Sequence, residues 1–185
     1  MIEKTVLDRE DVRRTLVRIA HEIVEKTGGE GVAVVGIHRR GAVLAARLRD
    51  LVAELGGEPV PLGDVDISFY RDDIRLRSPD SQPVVHASHV SFPVEETTIV
   101  LVDDVLYTGR TVRAAIDALF DYGRPRCVQL AVLADRGHRE LPIRPDYVGK
   151  NLPTSTSERV NVRVEEIDGA DEVAIVTADL EGSTT

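Results

Sequence analysis

Residues 99–111 read Ile-Val-Leu-Val-Asp-Asp-Val-Leu-Tyr-Thr-Gly-Arg-Thr, and this stretch decides the fold of the chain. Its first four residues form an apolar run, which is typical of a strand buried within a parallel sheet. Two adjacent carboxylates, Asp103 and Asp104, follow the run, and a short turn rich in hydroxyl groups comes next. Because a helical pattern of apolar residues begins directly after Thr111, the turn lies between a strand and the N-terminus of a helix.

A turn in this position is a favourable place for phosphate. Backbone N–H groups without intrahelical partners and the positive end of the helix dipole converge on it. The residues expected to bind there are Val105, Leu106, Tyr107, Thr108, Gly109, Arg110 and Thr111. The neighbouring carboxylates suit sugar hydroxyls or a hydrated divalent metal, so the pattern indicates a site for a phosphorylated ribose. The structural alternative is that Asp103 and Asp104 merely flank the helix and that Thr108 is a plain N-cap.

The composition is that of an ordinary globular protein. The 185 residues are most simply one domain, residues 1–185, with 42% hydrophobic and 30% charged residues. A net charge of −9 argues against a general nucleic-acid coat, although it is compatible with a local basic face. No apolar stretch reaches the ~18 residues that a membrane span needs, and the N-terminus lacks an apolar signal-peptide core. We therefore expect a cytoplasmic protein.

Several kinds of chemistry find no support in the sequence. The single cysteine, Cys127, lies in an apolar run, which favours a buried structural thiol and excludes an intrachain disulfide. Neither G-x-x-x-x-G-K-[ST] nor G-x-G-x-x-G occurs, so nothing favours ATP hydrolysis or dinucleotide binding. Nucleophile triads and metal-ligand spacings are likewise missing from the sequence.

Strands and helices alternate along most of the chain, which predicts an α/β fold: a parallel sheet with helices on both faces. The first predicted element is a helix with Asp8 as N-cap and a stripe of apolar residues from Val12 to Val24. It is followed by a strand at 32–37, a helix at 42–55, a strand region at 60–70, a long mobile loop at 71–83 and a returning strand at 84–92. After the central strand and helix, further strands are predicted at 127–134, 160–164 and 173–176. Three charged turns, 38–41, 103–111 and 135–138, follow strands. Because binding sites in such sheets lie at the carboxyl ends of the strands, we expect these turns to cluster.

The motif at 102–114 resembles the phosphoribosyl-pyrophosphate (PRPP) motif of the type I phosphoribosyltransferases. The chain as a whole resembles one branch of that family, the PyrR proteins, which are bifunctional pyrimidine operon regulators and uracil phosphoribosyltransferases. The matching segments are 18–22, 35–41, 70–73, 102–114, 135–144 and 147–155. The PRPP motif alone indicates the superfamily, and the block from 135 to 155 points to the branch. The resemblance implies the type I fold with a flexible β-hairpin loop and a small hood.

The resemblance also implies the reaction uracil + PRPP → UMP + pyrophosphate. Asp103 and Asp104 would accept hydrogen bonds from the ribose hydroxyls and stabilise the positive charge that develops at C1 as pyrophosphate leaves. Mg²⁺ would be held mostly by pyrophosphate and ribose oxygens, and Asp103 or Asp104 would be its only protein ligand if it has one. We therefore expect Mg²⁺ as the cofactor.

The remaining ligand contacts are expected from other turns. Arg39 and Arg40 can meet pyrophosphate, with a solvated turn as the alternative. Arg71, on the loop, would close over pyrophosphate and exclude water, with an exposed loop charge as the alternative. The resemblance places Arg136 beside the base and gives the main chain around Val160 the contacts to uracil.

A second function, RNA binding, follows from the same resemblance. Arg14, Arg18 and His21 share one face of the first helix, although Glu22 and Glu25 lie nearby and an ordinary solvated face is the alternative. A second basic set comprises His138, Arg139, Arg144 and Lys150. In PyrR-like proteins the matching positions form a basic surface across a dimer that binds pyrimidine-operon mRNA under control of UMP or UTP. The resemblance thus implies a homo-oligomer, at least a dimer.

Two other functions remain open from the sequence. One is an RNA-binding regulator that has lost catalysis and keeps the nucleotide pocket as a sensor. The other is a phosphoribosyltransferase for a different base, orotate or a purine.

Overall fold

The structure, a computed structural model, describes residues 2–68, 70 and 87–177. Its strands and helices are, in chain order, β1 (Ile2–Leu7), α1 (Arg9–Thr27), β2 (Val32–Ile37), α2 (Arg40–Gly56), β3 (Leu62–Val65), β4 (Thr98–Leu106), α3 (Arg110–Phe120), β5 (Cys127–Asp135), β6 (Tyr147–Asn151), β7 (Glu158–Arg163), α4 (Glu165–Asp168) and β8 (Glu172–Thr177). In these ranges, every helix is too short or too polar to pass through a bilayer.

The central layer is a five-stranded parallel sheet with the strand order β3-β2-β4-β5-β6. Helices α1 and α2 pack on one face of the sheet through a cluster that includes Ile19, Leu44 and Val100. Helix α3 packs on the opposite face through a second cluster that includes Leu101 and Leu119. The predicted α/β fold, with helices on both faces of a parallel sheet, is confirmed.

A second, smaller sheet has the strand order β1-β8-β7 and is antiparallel. Val162 and Val173 from this sheet join the apolar cluster of α1 and α2, so the small sheet is packed on the main body. The two strands predicted near residues 160 and 173 are therefore real. Strands β1 and β6 were missed, because β1 exposes most of its side chains and β6 buries only Tyr147, which leaves neither with a clear apolar pattern.

Local sequence signals account for where helices α1 and α2 begin or end. Asp8 caps α1 through a capping box with Asp11, and Gly28 ends the helix in the left-handed conformation. Helix α2 begins very close to the sheet, because a Cβ atom on Gly41 would lie 2.6 Å from the carbonyl oxygen of Val102. Glycine at this position therefore allows the N-terminus of α2 to reach the carboxyl end of β4.

Two sequence expectations need adjustment, and a third lies largely outside the described residues. Cys127 is exposed rather than buried, since it starts β5 before the pairing with β6 begins at Ala131. The strand region predicted at 60–70 contracts to β3. The loop predicted at 71–83 and the first part of the returning strand at 84–92 lie outside the described residues. The described part of that segment contributes a single bridge, between His89 and Asp64.

Candidate active site

A cleft of about 430 Å³ opens at the carboxyl ends of the parallel strands. Its lining residues are His38, Arg39, Arg40, Asp66, Ile67, Ser68, Asp103, Asp104, Val105 and Thr111. The turn after β2, the last residues of β4 and the first turn of α3 therefore contribute to one cavity. The third charged turn, at 135–138, adjoins the second, because the Arg136 amide donates to the Leu106 carbonyl at 3.1 Å, but it does not line this cleft.

The two adjacent carboxylates lie within β4 rather than after it, because the strand continues to Leu106 by pairing with β5. Val105 and Leu106, predicted to lie in the turn, are therefore strand residues, and Leu106 is buried. The two carboxylates have different surroundings. Asp103 is buried, with 6% of its surface exposed, whereas Asp104 is half-buried. The amide of Asp104 donates to Asp103 Oδ1 at 2.9 Å, and the amide of Val105 donates to Asp104 Oδ1 at 2.8 Å. Burial, together with the neighbouring charge of Asp104, raises the pKa of Asp103 well above its ordinary value. A cationic or hydrogen-bond-donating ligand would offset this cost, which indicates a binding site.

Gly109 is the N-cap of α3 and has a φ of 92°. Only glycine adopts this conformation without strain, and a Cβ atom there would also lie 3.3 Å from Ile143 Cδ1. The alternative in which Thr108 is the N-cap is wrong, since Gly109 occupies that position, although Thr108 Oγ1 accepts from the Arg110 amide at 3.3 Å. The first amides of α3 have no acceptor within the helix, and Thr111 in that first turn lines the cleft.

Residues 139–143 hold the turn from the other side, and the sequence did not reveal this role. The amides of Glu140 and Leu141 both donate to the Thr108 carbonyl, at 2.9 and 3.1 Å. Glu140 also pairs with Arg110 at 2.6 Å. Arg139, expected to bind RNA, donates to the Tyr107 carbonyl at 3.0 Å. The only sequence signal for this support was the length of the family motif that spans 135–144.

The two arginines of the basic turn after β2 differ in exposure and in hydrogen bonding. Arg39 is exposed. Arg40 is half-buried and donates through Nε and Nη2 to both carboxylate oxygens of Asp168, at 3.0 and 2.7 Å. The bond to Asp168 raises the pKa of Arg40 above its ordinary value, so its guanidinium stays charged. Sequence patterns had not linked α4 to this turn.

Arg40 and Asp104 also line a second cleft, of about 280 Å³, which opens toward the small sheet. The other lining residues are Val160, Asn161, Val162, Arg163 and Asp168. The segment around Val160 therefore faces Asp104 across a shared space. Because β7 is an edge strand of its sheet, its outer backbone groups are available to a ligand in this cleft.

Arg136 is buried and lies away from both clefts. Its guanidinium donates to the carbonyl of Glu158 at 2.7 Å and to that of Ser155 at 3.3 Å. It also lies over the Tyr107 ring, 4.1 Å from the centroid. Arg136 thus joins the turn after β4, which contains Tyr107, to the segment that leads into β7. Its expected place beside a base remains a prediction.

His38 is a cleft residue that the sequence reading did not select. Its Nε2 atom lies 2.5 Å from Oδ1 of Asp64, and the side chain is half-buried. Asp64 in turn lies 3.4 Å from His89 Nδ1. The only signal was the position of His38 at the start of a charged turn after a strand.

Comparison with known proteins assigns this arrangement to a family. The model for the phosphoribosyl transferase domain matches residues 4–166. A protein named "Bifunctional protein PyrR" from Roseiflexus sp. (strain RS-1) is 58% identical over 170 residues, which are 91% of this chain and 92% of that protein. The chain belongs to the PyrR family of phosphoribosyltransferases. A PyrR protein from Listeria welshimeri is 53% identical over 173 residues, covering 92% of this chain and 94% of its own.

Solved structures of other phosphoribosyltransferases share the fold of this PyrR family member. A hypoxanthine-guanine phosphoribosyltransferase from Bacillus anthracis superposes with a TM-score of 0.70 at 18% identity and covers 96% of this chain and 100% of its own. The hypoxanthine phosphoribosyltransferase of Trypanosoma cruzi gives a TM-score of 0.71 at 18% identity, with 95% and 97% covered. At this identity the likeness concerns the fold alone.

The residues predicted to form the RNA face of a PyrR protein lie in two kinds of environment. Arg18 donates to the carbonyls of Val148 and Gly149 at 3.0 and 2.7 Å, so it joins α1 to β6. Arg14 pairs with Asp11 on the surface at 2.7 Å. The other exposed members are His21, His138, Arg144 and Lys150. Because Lys150 follows Gly149 directly, the α1 set and part of the second basic set adjoin.

One predicted catalytic residue, Arg71, lies outside the described residues. Its expected closure over pyrophosphate remains a prediction.

Proposed function

We propose that this PyrR family member transfers a phosphoribosyl group from PRPP to uracil, forming UMP and diphosphate. The observation that carries the proposal is the joint placement of Asp103, Asp104 and Thr111, which lies in the first turn of α3, in one cleft. Such a site combines sugar-hydroxyl acceptors with phosphate donors, which a phosphorylated ribose requires. Relatives that share more than half of their residues with this chain carry the name "Bifunctional protein PyrR".

The two acids would serve the ribose. They accept hydrogen bonds from the 2′- and 3′-hydroxyls, and they stabilise the positive charge that develops at C1 when the bond to pyrophosphate breaks. Burial strengthens this interaction, because charges act more strongly on one another where water is excluded. Burial and the charge of Asp104 raise the pKa of Asp103, and a positive charge beside it would lower that pKa and favour the ionised carboxylate.

The pyrophosphate would lie toward the turn after β2, where Arg39 and Arg40 line the cleft. Phosphoribosyltransferases generally use Mg²⁺ with PRPP, and the oxygen-rich, anionic surface at Asp103 and Asp104 fits a hydrated Mg²⁺. When bound, the ion supplies charge neutralisation for the leaving group. Arg40 orients the same group, and Arg71 is proposed to close over it.

The base would occupy the second cleft, between Asp104 and β7. Uracil presents a carbonyl, an N–H and a second carbonyl along one edge. The outer backbone of an edge strand presents alternating N–H and C=O groups, so the strand at Val160 complements that edge without requiring a charged side chain. Orotate carries a carboxylate, and the two arginines that line this cleft already pair with carboxylates, Arg40 with Asp168 and Arg163 with Glu172, which favours uracil over orotate.

The test is release of pyrophosphate from PRPP and a base in the presence of Mg²⁺. We expect turnover with uracil and little with orotate, hypoxanthine or guanine. Asp104→Asn is expected to lower turnover by orders of magnitude with the fold intact, because the variant loses the charge that stabilises C1. Near-normal activity of Asp104→Asn would contradict the assigned role, and no turnover in the wild type would favour a regulator without catalysis.

We further propose that a homo-oligomer, at least a dimer, binds pyrimidine-operon mRNA in a manner that depends on UMP or UTP. The supporting observation is that Arg18 touches β6 directly beside Lys150, so two basic segments adjoin. Phosphate contacts from these side chains would supply most of the affinity, which should fall steeply with added salt. If a uridine nucleotide favours the RNA-binding form, RNA must equally favour the nucleotide.

The RNA proposal is tested best with exposed residues. His21→Ala combined with Lys150→Ala is expected to weaken RNA binding and to leave uracil turnover unchanged, since neither side chain lines a cleft. Arg18 is less suitable, because its loss also removes two hydrogen bonds between α1 and β6. Equal RNA affinity with and without UMP would contradict the proposed linkage.

A further inference from the structure

Helix α4 and the residues that follow it are attached to α2 through two arginines, Arg40 and Arg47. Arg40, at the first residue of α2, donates to both oxygens of Asp168. Arg47, about two turns further along, donates to both oxygens of Asp171, at 3.0 and 2.8 Å, and also to both oxygens of Glu166 in α4, at 2.9 and 2.5 Å. Each aspartate also accepts one backbone N–H, from Val164 in the first pair at 2.9 Å and from a residue of α4 in the second at 2.8 Å.

The two pairs differ in what lies beside them. Arg40 lines both clefts at Asp104 and Asp168 lines the smaller of them, whereas Arg47 and Asp171 line neither. The pairing with Asp168 engages the Nε and Nη2 edge of the Arg40 guanidinium. Because the guanidinium is planar and rigid, fixing that edge also fixes the direction of Nη1.

We infer that Asp168 is a positioning residue that aims Arg40 at the diphosphate of PRPP. This inference rests on the proposed function. A flexible arginine loses side-chain entropy when it binds an anion, and a side chain already held by a bidentate carboxylate loses less. Hydrogen bonds from Arg40 hold the pKa of Asp168 below its ordinary value. The carboxylate of Asp168 is therefore ionised at neutral pH, and the ion pair with Arg40 is maintained.

The arrangement also couples the two clefts. Asp168 lies on the short helix that directly follows β7, the strand proposed to contact the base. Through Asp168, the position of that segment determines where Arg40 points.

The experiment compares matched variants by calorimetric titration with PRPP in the presence of Mg²⁺. Asp168→Asn retains the shape of the side chain but removes one acceptor oxygen and the charge. It should weaken PRPP binding about tenfold, the scale of a charge-assisted bidentate contact. Asp171→Asn makes the same chemical change in the pair away from the clefts, and it should bind PRPP with wild-type affinity. Thermal unfolding of both variants measures the structural cost that they share.

Two further variants keep the inference testable. In an Arg40→Ala background, Asp168→Asn should have no additional effect on PRPP affinity, because there is no guanidinium left to position. Asp168→Glu retains the charge but moves the carboxylate by one methylene, and it should also weaken PRPP binding; wild-type affinity here would overturn the inference. In the assay, the KM for PRPP should rise while the KM for uracil changes little.

The outcomes separate the two proposals. If the wild type does not bind PRPP, the proposed function is wrong. If the wild type binds PRPP but Asp168→Asn and Asp171→Asn have the same affinity, Asp168 serves only to attach α4, and the positioning role is wrong. An equal effect of Asp168→Asn with and without Arg40 would overturn it as well.

Discussion

At the scale of single residues, Asp103 shows how a binding site is maintained at the expense of stability. Two carboxylates at the end of a buried strand repel each other, and burial removes the hydration of one of them. The raised pKa of Asp103 follows from these two causes. Residues held in unfavourable electrostatic surroundings are common at functional sites, because a ligand supplies the missing partner.

Asp103→Asn is therefore expected to stabilise the free protein at neutral pH while abolishing most of its activity. Below the ordinary pKa of an aspartate, both states of the wild type are protonated and the variant gains nothing. As the pH rises toward the raised pKa, the folded state holds a proton that the unfolded state has lost, so wild-type stability falls. Each unit of raised pKa corresponds to about 1.4 kcal/mol.

Urea unfolding at a series of pH values measures this gain, and Asp171→Asn provides a control of opposite sign. Burial would raise the pKa of Asp171, but hydrogen bonds from Arg47 and the Glu165 amide lower it overall. This variant should lose stability at neutral pH, with the loss disappearing in acid. A pH-independent difference between wild type and Asp103→Asn would contradict the electrostatic account.

At the scale of elements, the site depends on how closely helix ends approach strand ends. Gly41 allows α2 to begin against β4, where an added Cβ would also lie 3.2 Å from Asp103 Cα. The same glycine directly follows Arg40, so the distance between α2 and β4 also determines where the basic turn lies. Gly109 fulfils a related requirement at the start of α3.

Gly41→Ala is expected to destabilise the protein by about 1–3 kcal/mol, the usual cost of overpacking. It should also raise the KM for PRPP, because α2 must shift away from β4 and carries Arg40 with it. Chemical unfolding and steady-state kinetics measure the two effects.

Gly56→Ala is the matched control in the same helix. The added Cβ would meet only ordinary van der Waals contacts, the nearest at 3.5 Å to Gly29 Cα. We expect unchanged kinetics and a change in stability of no more than about 1 kcal/mol, in the stabilising direction. Equal losses in the two variants would show that the tight approach at Gly41 is unimportant.

At the scale of the whole molecule, the site is assembled from both sheets. The parallel sheet supplies the carboxylates and the two turns, and the antiparallel sheet supplies β7 with its attached helix α4. The ion pairs from Arg40 and Arg47 hold these parts together. Ligand binding across the clefts should therefore stabilise the molecule as a unit.

PRPP with Mg²⁺ is expected to raise the melting temperature of the wild type, since a ligand at 100 times its Kd stabilises a protein by about 2.7 kcal/mol. For a chain of this size that corresponds to a shift of roughly 5–11 °C. Differential scanning fluorimetry measures the shift. Removing the divalent ion with EDTA should abolish most of it, and a full shift without the ion would contradict its proposed part in PRPP binding.

Local patterns in the sequence determined much of this molecule. Residues 99–111 predict a strand, a turn and the start of a helix from local sequence alone. The apolar run, the two carboxylates and the glycine that carry this prediction are separated by only a few residues. The capping box at Asp8 and the glycine ends of α1 and α2 are similarly local. The α/β fold followed from their alternation, and the family was indicated by the resemblance of several segments to its motifs.

Only the tertiary structure decided which side chains meet across long separations. The pairing of Arg40 with Asp168 joins residues 128 positions apart, and the contact of Arg18 with Gly149 joins residues 131 apart. Burial is equally non-local: Cys127 lies in an apolar run yet is exposed, because the neighbouring strand does not extend that far. The physical reason is that a pattern in the chain records what each segment requires, whereas its partners are set by how the segments pack together.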